Sequence, residues 1–410
     1  MDSDIAQLEI PFGASQLFAA KVLKRQLVMA FDAPQSVANP AELITDALES
    51  PLGISALRTT IVPGDHIAVT MARDTPVPEH VMVALWDVLD DVGVNAADTS
   101  LLFPSAFDVS VPQQALSELS DDAANSLQCH THDPLEDGGC NYLATSASGQ
   151  RIYLSQHILD ADFVLPVDII CPDPVLGVRG SVSCLYPGFS DTEAIRKCLG
   201  QGHDELSSDD LRPLRQFVEE VAWLLGVQFC VGLIPGANGG ILAACAGTPD
   251  VVLRTGMESY RTNWEVEVTE KSDIVVAAVQ AGPHGTTWEE VGRAVDVARK
   301  FVNKGGRIVV LSELEAKPGP GLSMLASQRS AKSALKVVRK EMPPDLLTAT
   351  RIAKAADRAD VYLLSKLPEN VVEDLFLFPI ASTDEIQRLL NGGETVTVLG
   401  GAQYILPVVP

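Results

Sequence analysis

The chain has 410 residues, 46% of them apolar and 20% charged, which sets it among globular proteins. That length predicts two or three domains at roughly 100–200 residues each. With 30 basic and 54 acidic side chains the net charge is −24, so phosphate backbones and anionic lipid are repelled, and neither nucleic acid nor a membrane is an expected partner.

Met1-Asp2-Ser3-Asp4 carries no basic or apolar leader region, so no secretory signal is expected. No apolar run reaches the roughly 18 residues a membrane-spanning helix needs. The seven cysteines are an odd set without a CxxC pair, which argues against a disulfide framework or a zinc ribbon and for free thiols in a cytoplasmic protein.

In chain order, Asp65–Met71 reads as a strand, followed by a loop with Pro76 and Pro78. A helix comes next, because Val81, Leu85, Val88 and Leu89 recur at helical spacing. Asp162–Ile170 reads as a buried strand, and Leu211 to Leu225 as a helix with Phe217, Val221, Leu224 and Leu225 on one side. Ser272–Ala278 is a strand, and a helix from about Trp288 to Asn303 follows, with Lys304-Gly305-Gly306 as its expected stop. Arg307–Leu311 is the next strand. This alternation at roughly 30 residues is a βαβ unit and predicts a parallel sheet. Ala359–Leu364 and Thr395–Leu399 are two further strands. Both halves therefore read as α/β, with the crossing between them near residues 260–275.

No GxGxxG, GxxxxGK[ST], HExxH or GxSxG motif is present. Open α/β sheets bind ligands beyond the carboxyl ends of their strands, which singles out four loops: Arg73–Pro78, Pro104–Asp108, Cys171–Gly188 and Gly282–Arg293. In the third, Gly177 and Gly180 let backbone N–H groups approach an anion, and Arg179 offers a two-point hold on a carboxylate; a tight connection with a surface arginine is the equal alternative. His130-Thr131-His132-Asp133 lacks an obvious third metal ligand and reads as a solvated loop. His284 and Arg293 flank a helix start and reach the same crevice. Glu290 is either a carboxylate of that site or the N3 residue of a capping box, Thr287-x-x-Glu290. The same signature recurs at Ser190-x-x-Glu193 and Ser382-x-x-Glu385. Trp86, Trp223, Trp264 and Trp288 read as core, with Trp288, beside His284, the one candidate platform.

Pro51-Leu52-Gly53, Val62-Pro63-Gly64-Asp65, Arg73-Asp74-Thr75-Pro76-Val77-Pro78, Asp162-Phe163-Val164-Leu165, the Gly177 loop, Tyr186-Pro187-Gly188 and Ser272-Asp273-Ile274-Val275-Val276 with Gly282-Pro283 follow one another in an order and spacing that resembles the nickel-pincer lactate racemase (LarA-like) family. The resemblance implies two α/β domains with mostly parallel sheets and an interdomain cleft, here 1–268 and 269–410. It also implies a lysine-tethered, nickel-bearing nucleotide that accepts hydride, and two histidines that move the proton of a 2-hydroxy acid. At the corresponding positions this chain has Asp173 and Phe107 for those histidines and Ser183 for the tethering lysine. Leu199, with His203 nearby, stands for a nickel-binding histidine. Glu289 to Arg293 stand for Y-Q-x-x-K, and Thr75, with Arg73 two residues away, for an arginine.

Serine has no amine and phenylalanine carries no proton, so a covalent nickel-pincer nucleotide is not expected. Two readings stay open. One is an isomerase or racemase of a small hydroxy carboxylate, with Arg73, Arg179 and Arg293 holding the anion. In that reading Asp173 is the general base, and Ser183, His284 and Glu290 line the site. The other is a non-catalytic binding or regulatory protein on the same scaffold.

Overall fold

The computed structural model describes residues 4–104 and 110–409. Met1–Ser3 of the expected leaderless start, and Phe107 with most of the Pro104–Asp108 loop, lie outside the described residues. Aliphatic runs without polar alternation form the central strands, because helices cover both faces of a parallel sheet. Ile274, Val275, Val276, Ala277 and Ala278 are all fully buried in strand Ser272–Ala278.

Two six-stranded sheets result. The first runs Ile241–Gly247, Cys230–Pro235, Phe163–Ile169, Ile67–Met71, Thr99–Phe103, Gln128–Thr131, and only the Ile241–Gly247 pairing is antiparallel. The second runs Phe378–Ile380, Asp360–Leu364, Val302–Leu311, Ser272–Ala278, Val396–Leu399, Leu27–Phe31, parallel throughout. The expected α/β class with mostly parallel sheets is therefore what the chain adopts.

The expected division at 268/269 needs a correction at the start of the chain. Leu27–Phe31 pairs with Val396–Leu399, at the edge of the second sheet. The hairpin Ile5–Phe12 and Gln16–Leu23 packs Ile10, Phe12 and Phe18 into a core with Ile274, Val309 and Val396. Nothing local in residues 5–31 names that partner, since the pairing closes across most of the chain.

Some helix ends follow local chemistry and others depart from it. Helix Pro78–Val92 starts with Pro at its first turn and stops at Gly93, whose φ of +87° is a left-handed cap. Helix Trp288–Phe301 ends before the expected Lys304-Gly305-Gly306 stop: Val302 is already extended and pairs with Ser272. The glycines instead turn the chain inside the strand, Gly305 with φ +76°. The Ser190 signature also misses by one residue. Asp191 caps helix Thr192–Lys197, and the Ser190 hydroxyl donates to Tyr153 O.

The two sheets share one core. Ile169, Ile170 and Cys230 from the first are contiguous with Val275, Val291 and Ile352 around the second. Trp264 is fully buried at the junction, donates Nε1 to Pro235 O at 2.8 Å and packs on Phe31 and Tyr404. Trp288 is also buried, whereas Trp223 is 77% exposed, contrary to the core expectation. All seven cysteines are free. Among the described residues no helix is long and apolar enough to cross a membrane.

Candidate functional site

Strand ends bring the expected loops together. Arg73 and Asp74 sit on the turn after strand Ile67–Met71, which Thr75 Oγ1 closes by donating to Ala72 O at 2.7 Å. Asp168 lies near the end of strand Phe163–Ile169 and is 1% exposed. Arg179 ends the short strand Gly177–Arg179. Across the junction, Glu289 and Arg293 lie on the first two turns of helix Trp288–Phe301, one turn apart.

These six side chains form one ion network. Arg179 holds Asp74 in two-point fashion, Nη1 to Oδ2 at 2.9 Å and Nη2 to Oδ1 at 2.6 Å, and also donates to Asp168 Oδ1 at 3.1 Å. Arg293 Nη2 donates to Glu289 Oε1 at 2.6 Å and reaches Asp74 Oδ2 at 3.4 Å. Arg73 pairs with the other oxygen of Glu289. Three guanidiniums thus meet three carboxylates. The Arg73–Glu289 and Asp74–Arg293 contacts cross from one sheet's loops to the other's helix.

The electrostatics follow from burial against pairing. Burial pushes the Asp74 carboxyl up, but the pull of Arg179, then Arg293, outweighs it and holds Asp74 well below the usual carboxylate range. Glu289 is likewise pushed up by burial, yet Arg293 and Arg73 bring it down to about 2. Asp168 goes the other way: with Arg179 shared and Asp74 adjacent, burial dominates and its carboxyl is raised.

The sequence-selected residues divide accordingly. Arg73, Arg179 and Arg293 do converge, but each meets a protein carboxylate. The Asp173 Oδ1 accepts from the backbone N–H of Val175 at 2.8 Å and of Leu176 at 2.7 Å, which fixes a turn. The Ser183 hydroxyl donates to Asp168 Oδ2 at 3.0 Å and receives the Gly180 N–H at 2.5 Å. Glu290 completes the capping box with Thr287, and burial raises its carboxyl to about 7.

His284 Nε2 lies 2.7 Å from Arg73 O. A carbonyl only accepts, so Nε2 carries a proton and donates, while Nδ1 is buried and without a hydrogen-bond partner. His130 is stacked on His157 at 3.8 Å, and His132 lies 2.9 Å from Ser190 O. Among the described residues no group of three or more His, Cys, Asp or Glu side chains is placed to hold a metal ion.

Beside the network opens a cleft of about 810 Å³, walled by Cys171–Pro174 and the 203–212 segment on one side and by Arg293, Arg299, Arg351 and Tyr404 on the other. Asp204 ties the 203–212 segment down, receiving Arg299 at 3.1 Å and Lys354 at 3.0 Å. Sequence reasoning did not select Asp74, Asp168, Glu289 or Arg351. For Asp74 and Glu289 the signal was their place beside Arg73 and one helical turn before Arg293.

Residues 14–203 match the family model described as the lactate racemase N-terminal domain. The lactate racemase of Thermoanaerobacterium thermosaccharolyticum is 20% identical over 419 residues, covering 96% of this chain and 97% of that enzyme. The structure of the lactate racemase apoprotein from that organism superimposes with a TM-score of 0.79 at 16% identity, covering 98% of this chain and 100% of that one. A Thermotoga maritima protein of known structure gives a TM-score of 0.69 at 14% identity, covering 91% and 99%. The chain is thus similar to lactate racemase: residues 14–203 match its N-terminal domain, and nearly the whole chain shares its fold.

Proposed function

We propose that this protein binds a small hydroxylated carboxylate in the cleft between its two sheets, on a racemase-type scaffold and without a lysine-tethered nickel-pincer nucleotide. The observation that carries this is Arg293, which lines the cleft while its guanidinium is shared between Glu289 and Asp74. A ligand carboxylate arriving there competes with an internal carboxylate for the same donors, so binding is coupled to the contacts that join the two sheets.

The tether does not fit. Position 183 is a hydroxyl committed to Asp168 and Gly180, and it has no nitrogen from which a thioamide is made. A second reading, an isomerase that moves a proton through His284, is supported by the unpartnered Nδ1 beside Arg73.

A thermal-shift series with lactate and longer 2-hydroxy acids tests the binding reading. A ligand at about 100 times its dissociation constant stabilises by about 2.7 kcal/mol, and Arg293→Ala abolishes that gain. Equal stabilisation of wild type and R293A overturns the assignment of Arg293. Deuterium appearing at C2 of a bound acid in D₂O, and lost in His284→Gln, decides for the isomerase; binding without exchange decides for the binding protein.

A further inference from the structure

We propose that Arg351 is a second anion anchor in this cleft and selects ligands that carry two anionic groups: a 2-hydroxy acid bearing a further carboxylate or a phosphate ester, rather than a simple monocarboxylate. The inference rests on the binding reading above and narrows its ligand class.

Arg351 lies on helix Leu346–Arg358, which packs against helix Trp288–Phe301. The opposing residue is Gly292. A Cβ there would meet Thr348 Cγ2 at 3.3 Å and Arg351 Cδ at 3.7 Å, so the missing side chain leaves the seat for the arginine stem. Arg351 is only 7% exposed, yet it lines the cleft. Its Nε and Nη1 are buried without a hydrogen-bond partner.

Each of the other cleft arginines has at least one acceptor, although Nε of Arg212, Arg261 and Arg358 is also buried without a partner. Arg299 takes Asp204 and Asp296, Arg261 takes Asp209, Arg212 donates to the carbonyls of Ser207 and Asp210, and Arg358 donates to Val302 O. The acids nearest Arg351 bond to other groups: Asp296 Oδ1 to Arg299, Glu289 to Arg293 and Arg73, and Asp173 Oδ1 to two backbone N–H groups.

An arginine stays protonated in a protein, so this is a buried cation that makes no ion pair among the described residues, although Asp296, Asp173 and Glu289 act on it from farther off. Burial lowers Arg351 from its ordinary value; Asp296 pulls it back up, and Arg293, on the adjacent helix, pushes it down again. Two like charges facing one cleft repel until an anion comes between them. The cleft's volume, about 810 Å³, also lies well above what a three-carbon acid fills and within the range of larger ligands.

The test measures calorimetric affinities of the intact protein at fixed ionic strength for lactate, malate and 3-phosphoglycerate. All three share the 2-hydroxy carboxylate and differ in the second anionic group. Malate, 3-phosphoglycerate or both bind about tenfold or more tighter than lactate, and which one gains names the second group as carboxylate or phosphate. Arg351→Met removes that preference, weakening the favoured acid by a larger factor than lactate. Without ligand, R351M melts at or above the wild-type temperature, because it removes a buried charge whose Nε and Nη1 have no hydrogen-bond partner; a clearly lower melting temperature would mean a protein partner and overturns the proposal. Lactate binding as tightly as both dianions, or R351M weakening all three alike, also overturns it while the binding reading stands. No binding by any of the three acids overturns both.

Discussion

Asp74→Asn lowers the unfolding free energy at neutral pH by up to roughly 3 kcal/mol, the lower end of what removing one partner from a buried ion pair costs, because Asp74 is 26% exposed. Asp74 alone satisfies both guanidinium nitrogens of Arg179 and also touches Arg293. Its loss leaves Arg179 with only Asp168, whose carboxyl burial already raises. Denaturant unfolding measures the effect. The double variant of D74N with Arg179→Met costs less than the sum of the two single changes, since each single change strands the other's partner. Strict additivity would show that Asp74 and Arg179 do not stabilise one another.

The sign of the pH dependence follows from the same network. Asp74 and Glu289 have folded-state values below those of the unfolded chain, Glu289 falling from 4.5 to about 2. Their contribution is therefore full above the ordinary carboxylate range and is lost as pH falls from about 4.5 towards 2. Acid unbinds the two sheets' loops from each other before it touches the apolar core.

Glu290 produces the second large effect, with the opposite sign. Burial raises its carboxyl from 4.5 to about 7, so the folded protein binds a proton that the unfolded chain has released. Its share of stability is present below about pH 4.5 and is lost as pH rises to about 7, a swing of up to roughly 3 kcal/mol. Glu290→Gln keeps an acceptor for the Thr287 N–H and removes the ionisation. The stability of E290Q relative to wild type therefore climbs between pH 4.5 and 7 and levels off above. Unfolding free energies at a series of pH values check this, and a difference that stays flat from pH 4.5 to 8 would show that Glu290 ionises as freely folded as unfolded.

Local chemistry is what could be read from the chain. The Thr287–Glu290 capping box needs only residues three apart, and it forms as read. Strand Ser272–Ala278 shows itself through a continuous aliphatic run, and helix Pro78–Val92 through its period and its terminal glycine. The order of the loop motifs was enough to place the chain on a racemase-type scaffold and to pick out Arg73, Arg179 and Arg293 as a set.

What those arginines meet was decided by the tertiary structure. Asp74 and Arg179 are 105 positions apart and Arg73 and Glu289 are 216 apart, so each pair exists only once the sheets are assembled. Asp173 read as a base because a carboxylate stood where a proton carrier was sought, and its Oδ1 accepts from the backbone N–H groups that the folded turn turns towards it. Arg351 left one trace, a lone arginine on a stripe with Thr348, Ile352 and Ala355, all buried. Periodicity registers burial but not whether a buried charge finds a partner, because partners come from other elements. By itself, therefore, the sequence determined elements, caps and scaffold, which depend on neighbours within a few turns. Which charges are matched across the junction, and which one is left facing the cleft, is settled only by the packing of one sheet's loops on the other's helices.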